Sequence, residues 1–155
     1  MAPLSWQVHA ADEAASAELA QHIATRVAPG TVIALVGPLG AGKTTFVRAF
    51  AAALQVFEPA EVASPTYTLV NVYPAPGAAL VHLDFYRLDG VESAYALGLE
   101  EEIHRPEALV VVEWADKFPE LLPQHAIWCT FAFAADGGRN IHVTGVAAPA
   151  GASPV

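Results

Sequence analysis

An α/β domain is the fold class this chain predicts, and three stretches predict it. Val32 to Val36 is a run of β-formers that passes through a glycine-rich turn, Gly37 to Gly42, into a helix-like segment opening at Lys43. Leu109 to Glu113 is a continuous apolar run of the sort found in a central strand buried on both faces. Leu80 to Asp84 is a second apolar run, again closed by a carboxylate. At 155 residues the chain is one domain, read here as residues 1–146, with the Ala/Pro/Gly/Ser-rich stretch Ala147 to Val155 expected as a loose tail.

Taken in order, Trp6 to His9 predicts a short strand and Asp12 to Val27 a helix, with Asp12 as its N-cap. Ala15, Leu19, Ile23 and Val27, spaced by four, give that helix one core-facing stripe before Pro29-Gly30 ends it. Thr44 to Leu54 carries on the helix that follows the glycine-rich turn. Ser64-Pro65-Thr66 is a proline-marked turn running into an alternating strand that reaches about Tyr73, and Ala79 to Phe85 returns as its hairpin partner. Val91 to Glu102 predicts one helix with an acidic end. After the run at Leu109 come two strands, Ala126 to Phe133 and Asn140 to Val146, joined by Asp136-Gly137-Gly138, with Arg139 at the start of the second.

Composition narrows the functional classes. Apolar residues make up 54 per cent, which excludes disorder for the body of the chain. Seven Lys+Arg against 16 Asp+Glu give a formal net charge of −9, so most of the surface repels a polyphosphate backbone. Direct nucleic-acid binding is therefore not expected, and protein partners fit better. The single cysteine, Cys129, lies in an apolar strand and is expected to be a buried, inert thiol. No apolar run reaches transmembrane length and the first residues lack a signal-type pattern, so no membrane association and a cytoplasmic location are expected.

The chemistry is concentrated at three places. Gly37, Gly42, Lys43 and Thr44 match G-x-x-x-x-G-K-[ST], with Leu39, Gly40 and Ala41 inside the loop. Glycines let the backbone curl so that successive N–H groups point inward, and the helix adds its positive dipole end at the same spot. A triphosphate such as ATP suits that cradle. Lys43 would reach the β- and γ-phosphates and the Thr44 hydroxyl would take one position on Mg²⁺, while Thr45 is expected to face the helix. Asp84 and Glu113 each close an apolar strand, and open α/β sheets bind ligands outside the carboxyl ends of their strands. Both carboxylates can then face the nucleotide, one as metal ligand and one as water-orienting base. Arg87 is open between a transition-state cation and a structural partner for an acid.

Four blocks stand in order: G-P-L-G-A-G-K-T-T-F, S-P-T-Y-T-L-V, H-L-D-F-Y-R-L and V-E-W-A-D. The combination resembles the bacterial TsaE (YjeE) family, a small P-loop ATPase of tRNA threonylcarbamoyladenosine biosynthesis. The likeness runs from about Asp12 to Val146. It implies a three-layer sandwich with a mixed central sheet, and slow, partner-dependent ATP hydrolysis in a complex with TsaB and TsaD. There TsaD transfers the threonylcarbamoyl group to adenosine 37 of tRNAs reading ANN codons. Carried over by position, the resemblance implies phosphate binding by Lys43 and the loop glycines and a magnesium site at Thr44 and Asp84. It further implies a catalytic or metal-linked Glu113, a nucleotide neighbour in Trp114, a γ-phosphate-sensing Thr66 and a nucleotide-side Arg139. Two departures stand out: Pro38 where the family often has aspartate, and Asp12-Glu13-Ala14-Ala15-Ser16 where an adenine-site threonine is usual. The rival readings are a nucleoside-type kinase, which would want an Arg-rich lid, and a nucleotide-binding switch without turnover.

Overall fold

The computed structural model describes residues 4–155. Among them, eight strands form one sheet: β1 (Ser5–Ala10), β2 (Val32–Val36), β3 (Val70–Tyr73), β4 (Leu80–Asp84), β5 (Leu109–Glu113), β6 (Ile127–Phe133), β7 (Arg139–Thr144) and β8 (Ser153–Pro154). Their spatial order is β3-β4-β5-β2-β6-β7-β1-β8. The inner block β4-β5-β2-β6 is parallel, while β3, β7, β1 and β8 each pair antiparallel with their neighbours. The sheet is thus mixed, as the resemblance implied.

Helices cover both faces. On one side α1 (Glu13–Ala24) and α2 (Lys43–Ala53) bury Leu19, Ile23, Phe46 and Phe50 against Ile33, Leu35, Leu80 and Val111. On the other, α3 (Val91–Ala96) and α4 (Leu99–Ile103) bury Ala94, Leu99 and Ile103 against Val32, Ala34, Val81, Leu83, Val110 and Val112. Alternate residues of β2, β4 and β5 therefore belong to different cores, as the two-residue period of a strand requires. That double coverage is why these strands read as unbroken apolar runs. Asp12 caps α1, its side chain accepting from Ala15 N–H at 2.9 Å.

Three predicted elements differ. The helix expected over Val91 to Glu102 is two short helices, because Gly98 takes φ +74°, a left-handed turn that redirects the chain. The strand expected from the Ser64-Pro65-Thr66 turn begins only at Val70, since Ser64 and Thr66 spend their hydroxyls on Asp84 and Leu69 turns with φ +69°. The stretch expected as a loose tail instead folds back: Ala147 O accepts from His22 Nε2 at 2.7 Å, and Ser153–Pro154 pairs with Trp6 and Gln7. Among the described residues no helix is long and apolar enough to cross a membrane.

Candidate functional site

The carboxyl ends of β2, β4 and β5 open on one side of the sheet, and the register sets Asp84 directly opposite Glu113. A cavity of about 290 Å³ lies there, lined by Leu39 to Thr45, Ser64, Thr66, Asp84, Tyr86, Glu113 and Trp114. One mouth thus collects residues 39–45 of the glycine-rich loop and the start of α2, both strand-end carboxylates, Thr66 and Trp114. Thr45 also lines it, rather than facing only its own helix. Arg87 is not among the lining residues. Its guanidinium sits 4.4 Å from the ring centre of Tyr67, which gives it a structural partner, though an aromatic one instead of an acid.

Gly37 sits at the end of β2 with φ +154°, and a Cβ there would lie 2.8 Å from the carbonyl oxygen of Phe131 on β6. Only glycine lets the loop start this close to the neighbouring strand. Gly42, at φ +102°, then feeds directly into α2, so the loop and the start of the helix line the cavity together. Lys43 Nζ donates to the carbonyls of Gly37 at 2.5 Å and Pro38 at 2.9 Å, and lies 4.3 Å from the ring centre of Trp114. Pro38 lacks an N–H but still serves the loop through its carbonyl, which also accepts from Ala41 N–H at 3.1 Å. Burial pushes the Lys43 ammonium below the ordinary lysine range, opposed by the negative charges of Glu113, Asp84 and Asp116.

The two carboxylates are held differently. Asp84 Oδ1 accepts from Tyr86 N–H at 2.8 Å, and Oδ2 accepts from the hydroxyls of Ser64 and, at 3.2 Å, Thr66. Glu113 Oε1 accepts from the Thr44 hydroxyl at 3.0 Å, and Oε2 from Thr44 at 3.2 Å and from His82 Nε2 at 2.6 Å. Both acids are almost fully buried, so these donors are what make their burial tolerable. Lys117 Nζ donates to the carbonyls of Tyr86 and Leu88, tying the segment after β4 to the segment after β5. Trp114 adopts φ +57°, a left-handed conformation seldom taken by a large side chain, and its ring is covered by Tyr86 at 4.9 Å between centres.

Thr44, Asp84 and Glu113 offer a hydroxyl and two carboxylates, all hard oxygen donors. Among the described residues no group of three or more His, Cys, Asp or Glu side chains could hold a metal by itself. That set suits magnesium, which keeps several waters and binds through one or two carboxylates plus substrate phosphates. A second cavity, of about 200 Å³, adjoins the first across Gly40, Ala41, Gly42 and Thr45 and is walled by Ala10 to Glu13, Ser16 and Gly137 to Arg139. Arg139 reaches it with its donors already engaged: Nε to Ala41 O at 3.0 Å, Nη2 to Gly40 O at 3.2 Å, and Nη1 to the carbonyls of Gly137 and Gly138. The resemblance implied a nucleotide-side arginine; Arg139 lines this second cavity while its donors are spent on carbonyls of the loop and of the turn before β7.

The family model described as threonylcarbamoyl adenosine biosynthesis protein TsaE matches residues 10–141, which contain every side chain of both cavities. The chain belongs to the TsaE family. A TsaE protein of Bacillus subtilis, named for tRNA threonylcarbamoyladenosine biosynthesis, is 36% identical over 146 residues, 94% of this chain and 88% of that protein. The TsaE protein of Aquifex aeolicus is 42% identical over 100 residues, 64% of this chain and 69% of that one. The crystal structure of Bacillus subtilis YdiB superposes with a TM-score of 0.73 at 28% identity, covering 96% of this chain and 88% of that one.

Sequence reasoning missed His82, Ser64 and Tyr86 as members of this TsaE site. Ser64 and Tyr86 act through local bonds to Asp84 that no periodicity announces. His82 left a signal: in the run Leu80 to Asp84 it is the one other polar residue, and it stands two positions before Asp84 on the same face.

Proposed function

We propose that this TsaE chain binds Mg·ATP across the two cavities and hydrolyses it slowly, with TsaB and TsaD homologues as partners. The cycle would serve threonylcarbamoyl modification of adenosine 37 in tRNAs that read ANN codons. The observation that carries this reading is the meeting, in one cavity, of the phosphate-type loop with Thr44, Asp84 and Glu113. The relatives' names support the tRNA modification, and the net charge of −9 supports a role in which partner proteins, not this chain, hold the tRNA. The reading has the chain working in the cytoplasm, where tRNA is modified.

The triphosphate would lie in the first cavity against the loop N–H groups and the start of α2, with the nucleoside in the second between the loop and Asp12 to Ser16. Lys43, now held by Gly37 and Pro38 carbonyls, would exchange them for phosphate oxygens, a stronger charge-assisted bond. Thr44, Asp84 and Glu113 would hold the magnesium, which supplies positive charge to the β- and γ-phosphate oxygens. Glu113 would orient or deprotonate the attacking water, and Thr66, bonded to Asp84, would register the γ-phosphate through that carboxylate. A kinase acting on a nucleoside would surround the phosphoryl group with arginines, whereas the cation lining the first cavity is Lys43 alone among the described residues.

The test is ATP hydrolysis by the purified chain, alone and with TsaB and TsaD homologues of its host, with Glu113→Ala as control. Stimulation by the partners that falls about 100-fold or more in Glu113→Ala, with nucleotide still bound, is the expected result. Lys43→Ala should weaken nucleotide binding itself. Turnover that appears only with a nucleoside acceptor would replace this reading with a kinase. Loss of magnesium-dependent binding in Glu113→Ala but not in Asp84→Ala would exchange the roles of the two acids.

A further inference from the structure

We infer that His82 is a positioning residue for Glu113, and through it for the hydrolytic step; the inference rests on the proposed Mg·ATP reading. His82 lies in the middle of β4, fully buried, on the sheet face that α1 and α2 cover. Its Nε2 is 2.6 Å from Glu113 Oε2, across the β4–β5 pairing that sets His82 beside Val111 and Asp84 beside Glu113. Its Nδ1 is buried with no hydrogen-bond partner.

A buried ring nitrogen without a partner is a standing cost to folding. Leucine or phenylalanine, otherwise typical of such a strand, would not carry that cost. The ring's other nitrogen makes one contact, with Glu113, so the polar chemistry of position 82 serves that carboxylate alone.

Glu113 has two jobs to be held for, and each depends on where its oxygens point. The Thr44 hydroxyl faces both oxygens, at 3.0 and 3.2 Å, but has a single proton to share between them and so does not by itself distinguish Oε1 from Oε2. The His82 N–H fixes Oε2 from behind and leaves Oε1 turned to Thr44 and the phosphate loop. Outer-sphere donors of this kind change metal affinity or activity about 10–100-fold when removed. His82 touches neither cavity, so its effect must pass through Glu113.

The experiment compares His82→Leu, His82→Gln and His82→Asn in the full chain. Each is made in the parent and in a Glu113→Ala background. Two quantities are read: affinity for a fluorescent ATP analogue with and without Mg²⁺, and partner-stimulated kcat and KM for ATP. Metal-free nucleotide affinity should stay within about twofold in all three, which also reports that the loop and fold are intact. His82→Leu should lower kcat or the Mg²⁺-dependent gain in affinity about 10–100-fold. His82→Gln, whose amide N–H reaches about as far as Nε2, should recover most of it, and the shorter Asn should not. In the Glu113→Ala background His82→Leu should add nothing.

Equal effects in both backgrounds, a Gln no better than Leu, or a matching loss of metal-free binding would each overturn the positioning role while leaving the Mg·ATP reading intact. A parent chain that neither gains affinity with Mg²⁺ nor turns over ATP with its partners would overturn the Mg·ATP reading and this inference with it.

Discussion

The parallel half of the sheet, β4-β5-β2-β6, and the antiparallel half, β7-β1-β8, contribute to the site in unlike ways. β2, β4 and β5 are buried on both faces almost throughout, with Asp84 and Glu113 at the carboxyl ends of β4 and β5 and His82 in the middle of β4. β1 and β7 alternate buried and open positions, with polar side chains along their outward face. They supply the second cavity with Ala10 and with Arg139, which touches the loop and not the carboxylates. The lesson is that full coverage lets a strand end hold a charged group at low solvent exposure, where each hydrogen bond orients it. A half-covered strand can only brace what lies next to it.

The largest contrast should appear on truncation. Leu35→Ala, in the middle of β2 and fully buried, should lower unfolding stability by about 3 kcal/mol in urea titration. Val8→Ala, half-buried on β1, should cost about 1 kcal/mol. Equal losses would erase the distinction between the halves.

Two glycines sharpen the comparison at the site itself. A Cβ on Gly37 would meet the Phe131 carbonyl at 2.8 Å, and one on Gly138 would meet the Ala10 carbonyl at 2.5 Å. Both alanine variants should lose about 2 kcal/mol of stability. Only Gly37→Ala should also lose binding of inorganic tripolyphosphate; Gly138→Ala should keep it and weaken ATP, because Gly138 walls the second cavity. Isothermal titration with both ligands reads the difference.

Next in size is Arg139→Ala. Since Arg139 grips the loop carbonyls, ATP and tripolyphosphate should weaken together, about tenfold, or about 1.4 kcal/mol. A loss confined to ATP would make it a nucleotide ligand after all.

The smallest effect concerns the brace at the far end of β1, where His9 Nε2 meets Asp136 Oδ2 at 2.7 Å and Nδ1 meets Asn140 Oδ1 at 3.1 Å. Bonds to Asn140 and then to Asp136 raise His9 above its ordinary 6.5, and bonds from Gly138 N–H and then from His9 lower Asp136 below 3.8. The His9 contribution is complete below pH 6.5 and disappears as pH rises through its raised value. The Asp136 contribution is complete above pH 3.8 and disappears as pH falls through its lowered one. Thermal melts of His9→Ala should therefore show less stability than the parent near pH 5 to 6 and converge with it at alkaline pH. Both groups are exposed, so the shift should be slight and screened by salt.

Much of the site was legible in the sequence because its anchors stand at the ends of strands buried on both faces. Val32–Val36 and Leu109–Glu113 could be bounded to the residue because, covered on both faces, they run without a polar residue until Glu113. The loop pattern located Lys43 and Thr44, and the strand ends located Asp84 and Glu113. What stayed hidden was decided by hydrogen bonds between distant segments. The donors of Arg139 turn to Gly40 and Ala41, almost a hundred residues away, and nothing local reveals that choice. The break between α3 and α4 was masked by helix-forming residues on both sides of Gly98. The return of the last residues onto β1 depends on an edge that exists only once the sheet has formed.

Cys129 lies on β6 opposite Leu35, one strand away from the start of the glycine-rich loop, and burial pushes its thiol up to about 12. Because only the thiolate reacts, Cys129 should be almost inert toward maleimides and disulfide reagents at neutral pH while the molecule is folded. The chain holds no second sulfhydryl to confuse the count. Modification by such a reagent is therefore a clock that runs only while the β2–β6 seam stands open. Any ligand that clasps the loop should slow it, which turns a residue with no part in the chemistry into a readout of occupancy on the unmodified protein.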